Sequence, residues 1–482
     1  MQEEIINDTL RTEATLVRQS AGETVAHEFA RLPLIGEGQR RRVAFLNRSY
    51  SPDSGATGQL LEQLSIHLAP IYDVTVVAGT PDNQVRQAGI PNTDRQDSQT
   101  VRVERLRHTT FDKRRLLGRL TNLATFTWKV RAWGTQAPKF DAVISETDPF
   151  FLPLVAAPLA KRMGAKYIAY IQDVYPDIGI ALGMQGENLL TRALRERLRR
   201  AYLRADRIVV LDEDMRDRLA WWGLPRDKFV IISNWVDTTK VRPLTGHNAF
   251  RAQHALQGRF VVMHSGNMGL TQRLDQLVQA TTECAWPERA LLLLIGDGVR
   301  RTALQSEIEK WGVQDRVRIL PPQPAQTLST SLSAANIHVV SLDGSLWGCM
   351  FPSKLYGILA VGKATLAVVP TDGSVDRLVR QHRLGLSVLP NSPIEFARAV
   401  RYAMEHPDEL QQYGSNARQL AVQQFDKLIS CNAFETVLAE LWETPATSLT
   451  KMPAGRATSQ ASAHWSGATE GDDSTALPVA DV

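Results

Sequence analysis

The chain has 482 residues, of which 43% are hydrophobic and 22% charged, with a net charge of +4. That length is about three times a usual domain, so one small module is excluded and two domains, each with its own core, are predicted. The composition is that of an ordinary soluble protein, and no apolar run reaches the roughly 18 residues that span a bilayer; the most suggestive, Phe150 to Ala160, stops at Lys161 and Arg162.

In chain order, residues 1–40 come first: polar, without a sustained period, and carrying Glu3, Glu4, Asp8, Glu13, Glu23 and Glu28 in place of the apolar core of a secretory signal. They are expected to be a disordered tail. A first domain at 41–240 is predicted from β-rich runs alternating with helical patterns, namely VAFLN at Val43, VTVVAG at Val74, AVISE at Ala142, YIAYIQD at Tyr167, RIVVLD at Arg207 and FVIISN at Phe229. After a polar stretch the rhythm restarts in a second domain at 241–446. Its runs are FVVMHSGN at Phe260, ALLLLIGDG at Ala290, VRILP at Val317, IHVVSL at Ile337, ATLAVVP at Ala364 and LSVLP at Leu386. Residues 447–482, a Ser, Thr, Ala, Gly and Pro mixture, read as a second disordered tail. The fold class is therefore α/β, with two Rossmann-like doubly wound parallel sheets whose strand-end loops face a central cleft.

Positive charge is concentrated in the first domain, notably at Arg105 to Leu120 and Arg192 to Arg200. Such a face is either a solvated helix surface or an attraction for phosphate. Nucleic acid is not favoured, because zinc-finger spacing and aromatic RNA-binding patterns are missing; anionic lipid headgroups or a lipid-linked diphosphate fit better. The three cysteines, Cys284, Cys349 and Cys431, are far apart and support neither a disulfide framework nor a thiolate metal site. The reducing cytoplasm is the expected compartment.

Chemistry is expected in the strand-end loops. Gly55 and Gly58 lie at the first strand-to-helix turn, where glycine either admits a ligand to backbone amides or simply makes the turn. In the second domain, HSGNMG supplies Gly266, Asn267 and Gly269 with Arg273 shortly after, and the next strand ends in GDG at Gly296, Asp297 and Gly298. Stacked amides, a flexible loop and a guanidinium suit a diphosphate. Further on, FPSKLYGILAVGK places Ser353 as a cap and Lys354 in the first turn of a helix. A lysine there opposes the helix dipole, a conflict relieved either by an anion or by solvation.

From Val43 to about Leu441 the chain resembles glycosyltransferase family 4 of the GT-B fold, and especially its bacterial exopolysaccharide, colanic-acid-type branch. The segments that carry the resemblance are SYSPDSGATGQ at Ser49, IQDVYPD at Ile171, the stretch from Ala205 to Asp237, HSGNMG at His264, IGDG at Ile295 and PSKLYGILAVGK at Pro352. It implies an enzyme moving a sugar from a nucleotide-diphosphate donor to a saccharide or polyprenyl-diphosphate-linked acceptor, with retention, without cofactor or metal, and peripheral to the inner face of the cell membrane. Gly266, Asn267 and Gly269 then correspond to the donor diphosphate loop, Lys354 to the cationic phosphate contact and Arg273 to a neighbouring basic residue. Asp297 and Gln323 resemble the wall of the nucleotide pocket, and Asp173 the acceptor-side loop. Asn234 to Asp237 resembles the end of the first domain, and the last helix is expected to pack back upon that domain. Two glutamates usual in the family are replaced by Cys349 and Gly357, which puts the donor-sugar contacts in doubt.

Breaking the anomeric bond leaves negative charge on the diphosphate, which the Gly266 to Gly269 amides, Lys354 and Arg273 would stabilise as it develops. Asp173 either orients the acceptor hydroxyl or pairs structurally. DEDM at Asp212 has the spelling of a metal site but stands where a helix begins, and capping explains it more simply. Two other readings share these features: a sugar-nucleotide epimerase on the same fold, and a scaffold without catalysis. A nicotinamide dehydrogenase is disfavoured because GxGxxG is missing.

Overall fold

The structure, a computed structural model, describes residues 39–53, 55–81, 95–97, 101–111, 116–244 and 246–443. All but two residues of the tail expected at 1–40, and the whole of that at 447–482, lie outside this set. The described residues up to Leu441 form one compact unit holding both predicted domains; Trp442 and Glu443, a turn and a bend, belong to a separate unit.

The first lobe runs β1 (Arg42–Leu46), α1 (Ala56–Leu68), β2 (Asp73–Gly79), β3 (Arg95–Asp97), β4 (Arg102–Leu106), α2 (Leu116–Gln136), β5 (Ala142–Ser145), α3 (Leu152–Met163), β6 (Lys166–Tyr170), α4 (Asp177–Ala181), α5 (Leu189–Leu203), β7 (Arg207–Val210), α6 (Glu213–Trp221) and β8 (Phe229–Ile231). The second runs α7 (Ala249–Gln253), β9 (Phe260–Ser265), α8 (Leu274–Ala280), β10 (Ala290–Ile295), α9 (Arg301–Trp311), β11 (Val317–Leu320), α10 (Leu328–Ser333), β12 (Ile337–Ser341), α11 (Lys354–Ala360), β13 (Ala364–Val368), α12 (Ser374–Gln381), β14 (Gly385–Val388), α13 (Pro393–Glu405), α14 (Pro407–Gln424) and α15 (Lys427–Glu440). All twelve strands read from the sequence form. Their unbroken apolar runs have a physical reason: helices cover both faces of a parallel sheet, so every side chain of a central strand such as β10 is buried.

The first sheet is ordered β3-β4-β2-β1-β5-β6-β7-β8, parallel except for β3, and the second β11-β10-β9-β12-β13-β14, parallel throughout. Strand order reverses between β1 and β5 in one and between β9 and β12 in the other. In such sheets ligands bind beyond the carboxyl ends of the strands at these reversals.

Part of the expected basic face turns inward. Arg105 is buried in β4 and donates to the carbonyls of Gly79, at 3.2 Å, and Ser51. In α5, Arg195 pairs with Asp177 and Glu187, while Arg199 and Arg200 share Glu196. Much of that charge is therefore neutralised at home. After the second lobe the chain returns to the first, as expected: Phe434 of α15 lies 6.1 Å from Phe45 and 5.4 Å from Tyr170, ring to ring. The two crossings run side by side, with Val236 paired to Asp426 and Lys427 Nζ 3.0 Å from Asp237.

Candidate active site

Because β9 and β10 are fixed by burial on both faces, their carboxyl ends emerge at set positions in the second lobe. The chain leaves β9 through Gly266 (φ 144°) and leaves β10 through Gly296 (φ 148°), both in the region side chains rarely adopt. A Cβ on Gly296 would lie 1.9 Å from the Gly266 oxygen, and one on Gly298 2.5 Å from the Met268 oxygen. The two glycine motifs thus touch backbone to backbone, and this contact is one reason both are glycine.

The same contact corrects the expected stack of open amides. Gly266 N–H donates to Ile295, Met268 N–H to Asp297 and Gly269 N–H to the Gln272 side chain. Within Gly266 to Gly269 the Asn267 amide is the one without an acceptor among the described residues. Asp297 is exposed, its carboxylate accepting from Gly298 N–H at 2.9 Å, and Gln323 donates to the Pro321 carbonyl at 2.9 Å; both stand on the same edge, after β10 and β11.

Lys354 opens α11 and reaches under this bend. Its Nζ lies 3.4 Å from Nδ1 and 3.3 Å from Nε2 of His264, and a Cβ on Gly266 would be 3.5 Å from its Cε. The predicted meeting of the Pro352 to Lys354 corner with HSGNMG is therefore present, at the β9/β12 reversal. Burial pulls the Lys354 pKa down to about 7. Burial, and then the lysine's charge, hold the His264 imidazole well below its usual range, so it is neutral. Ser353 stands at the cap position of α11, but its side chain makes no capping bond. Arg273 adopts a left-handed conformation (φ 44°) before α8, and its guanidinium faces Asp343 at 3.3 Å and Asp275 at 3.5 Å.

In the first lobe, Gly55 is exposed with open space around it, whereas a Cβ on Gly58 would meet the Tyr50 backbone at 3.1 Å. Gly58 serves the close packing of α1 on its own loop. Beyond the strands runs a row of buried polar side chains that the sequence reading did not gather: Asn47, Glu146, Gln172 and Asn234. Asn234 donates to Gln172 at 2.9 Å, while Asn47 Oδ1 and Glu146 Oε2 have no partner among the described residues. Burial, and then the charge of Asp148, raise the Glu146 carboxyl well above its ordinary value, so it is protonated.

The lobes meet through these edges. Asp173 bridges to Met350, Asp173 N–H donates to Thr147 Oγ1 at 3.2 Å, and Val174 N–H donates to the Cys349 carbonyl at 2.8 Å. Cys349 is itself buried, its thiol pushed up to about 12 by burial. The half-buried Gly357 faces Leu332 of α10. Asp212 caps α6 as expected, accepting from Met215 N–H at 2.7 Å. Asp214 does something the sequence did not announce: it accepts from Ser374 N–H at 2.6 Å and from Arg377 at 2.7 Å, capping a helix of the other lobe. Asp212, Asp214, Trp347, Met350, Phe351 and Pro370 line a small pocket at this joint. Among the described residues no group of three or more His, Cys, Asp or Glu side chains comes together as metal ligands would.

Known proteins share this arrangement. Residues 56–235 match the Glycosyl transferase 4-like domain and 247–420 the Glycosyl transferases group 1 family, together most of the chain. A probable glycosyltransferase, WbjE of Pseudomonas aeruginosa, is 27% identical over 312 residues, 64% of this chain and 76% of that one. The putative colanic acid biosynthesis glycosyl transferase WcaI of Escherichia coli K12 is 22% identical over 298 residues, 60% and 71% of the two chains. Among solved structures, Anabaena HepE in complex with UDP superposes with a TM-score of 0.64 at 16% identity, covering 83% of this chain and all of that one. Sucrose-phosphate synthase of Thermosynechococcus elongatus gives 0.66 at 17% identity, covering 83% and 99%. Two facing Rossmann-like lobes with these neighbours define a GT-B glycosyltransferase. Within that class, the chain belongs to the family 4 type.

Proposed function

We propose that this glycosyltransferase takes a sugar from a nucleotide-diphosphate donor and passes it, with retention, to a saccharide or polyprenyl-diphosphate-linked acceptor in exopolysaccharide or cell-surface glycan synthesis. The observation that carries the reading is Lys354 Nζ held beside the Gly266 bend at the strand-order reversal of the second lobe. As the anomeric bond breaks, charge grows on the departing diphosphate, and an amine already in place, holding its proton in the presence of the bound anion, stabilises it without reorganising. The Asn267 amide adds a donor, and Arg273 adds a second cation once it leaves Asp343 and Asp275. No metal is needed in this scheme.

Residues 41–240 serve as the acceptor lobe and 241–446 as the donor lobe. Asp173, on the first lobe where it meets Met350, orients the acceptor hydroxyl. The names of WbjE and WcaI support the pathway, and the UDP and UDP-glucose complexes of HepE support a nucleotide donor. No described helix is long and apolar enough to cross a membrane. We place the protein in the cytoplasm, peripheral to the membrane, with Leu189 and Leu190 exposed beside the arginines of α5.

The test is a melting-temperature panel with UDP, GDP and ADP sugars in the presence of a chelator, followed by product analysis with acceptor. A shift with one sugar nucleotide and a new glycosidic product are expected. Interconversion of the sugar nucleotide without acceptor would make the protein an epimerase. No shift with any of them would leave a scaffold.

A further inference from the structure

His264 has no task in the scheme above, yet it is fully buried at the carboxyl end of β9 and lies against Lys354. Lys354 Nζ is 3.4 Å from Nδ1 and 3.3 Å from Nε2, so it lies against the face of the ring and not in line with one lone pair, while Nε2 is 3.4 Å from the Asn267 carbonyl. From β12 the ring feels His338, whose own Nε2 donates to the Leu332 carbonyl at 2.9 Å. Among the described residues no carboxylate bonds to either Lys354 or His264. This choice of partner matters. A carboxylate would fix the lysine but cancel the charge a diphosphate needs, whereas a neutral imidazole fixes it and leaves the charge available.

We propose that His264 is the positioning residue of the donor site: a neutral ring whose face holds Lys354 Nζ beside the Gly266 bend. The proposal rests on the reading of Lys354 as the diphosphate contact. A consequence concerns protons. Without an anion beside it, burial favours the uncharged amine above neutral pH, so a bound anion draws a proton onto Lys354 there, and the donor binds more weakly as pH rises past neutrality.

Calorimetric titration of the full chain with UDP, and with inorganic pyrophosphate, at pH 6 to 9 in two buffers of different ionisation heat measures affinity and proton uptake together. The unaltered chain should take up close to one proton per UDP at the alkaline end and little at pH 6. His264→Val, which removes the ring, should weaken UDP about tenfold or more. His264→Phe, which keeps a neutral ring face, should restore most of that loss. If the Val variant fails to melt cooperatively, His264→Leu takes its place in the comparison. Wild-type binding in the Val or Leu variant would overturn the proposal, as would a Phe variant no better than the aliphatic one. A Lys354→Met chain that binds UDP like wild type would instead overturn the diphosphate reading itself.

Discussion

The carboxyl edges of the two sheets follow one plan and are finished with different chemistry. In the second lobe the edge is backbone: Gly266, Gly296 and Gly298 bring two turns into contact, and one lysine reaches beside them. In the first lobe it is side chains, with Asn47, Glu146, Gln172 and Asn234 buried in a row, two of them holding oxygens without partners among the described residues. A backbone edge with an amine that can carry charge favours an anion, because the amine and the dipoles are held in place in advance. A neutral row of amides and a protonated carboxyl favours uncharged groups that exchange hydrogen bonds, such as sugar hydroxyls. The lesson is that a doubly wound sheet supplies the place, and the residues just past its strands decide the ligand.

The sharpest way to break this contrast is to remove the cation. Lys354→Ala should lower turnover by about 100-fold or more, the scale of losing one donor from an anion-stabilising site. Steady-state rates on protein that melts like wild type give the answer. Near-normal turnover would leave the second edge with no more claim on a diphosphate than the first.

The next test concerns what keeps the edges facing each other. Asp214 sits in the first lobe and spans 160 positions to cap α12 and pair with Arg377 in the second. Asp214→Ala leaves that helix end and that guanidinium without their partner, and should cost about 2–3 kcal/mol in chemical denaturation. Asp214→Asn keeps an acceptor for the Ser374 amide and should fall between. An alanine variant as stable as wild type would show the joint to be held by other contacts, such as the Trp221 and Trp347 rings 5.1 Å apart.

This contact also marks the limit of what could be read beforehand. The central strands among the twelve were legible because burial on both faces writes continuous apolar runs, and the edge strands β8, β11 and β14 because short β-rich runs recur in the same rhythm. β4 was not, because on the buried face it shares with Val101 and Val103 it carries Arg105, a charged residue that bonds inward to carbonyls. Gly266, Gly296 and Lys354 were legible from local spacing, since each follows its strand or opens its helix. The Asp214 bridge, the His264 contact and the buried row have no local period, for they arise only when distant loops meet. Ser353 errs the other way: its position is a cap and its side chain does not act as one.

The smallest expected effect tests the first edge. Burial, then Asp148, hold the Glu146 carboxyl above its ordinary value, so the native state keeps its proton at pH values where the unfolded chain has lost it. Stability therefore falls as pH rises from the unfolded value through the folded one, and this group contributes nothing below both. Glutamine has the shape of the protonated acid and does not titrate. Glu146→Gln should match wild type near pH 4 and become relatively more stable with rising pH, by something on the order of 1 kcal/mol, read from melting curves of the two chains across pH 4 to 8. Its turnover should stay near wild type, because a neutral hydrogen-bonding group remains in place. A large loss of turnover with an intact fold would mean that Glu146 works as a charged base, and the first edge would then be no less ionic than the second.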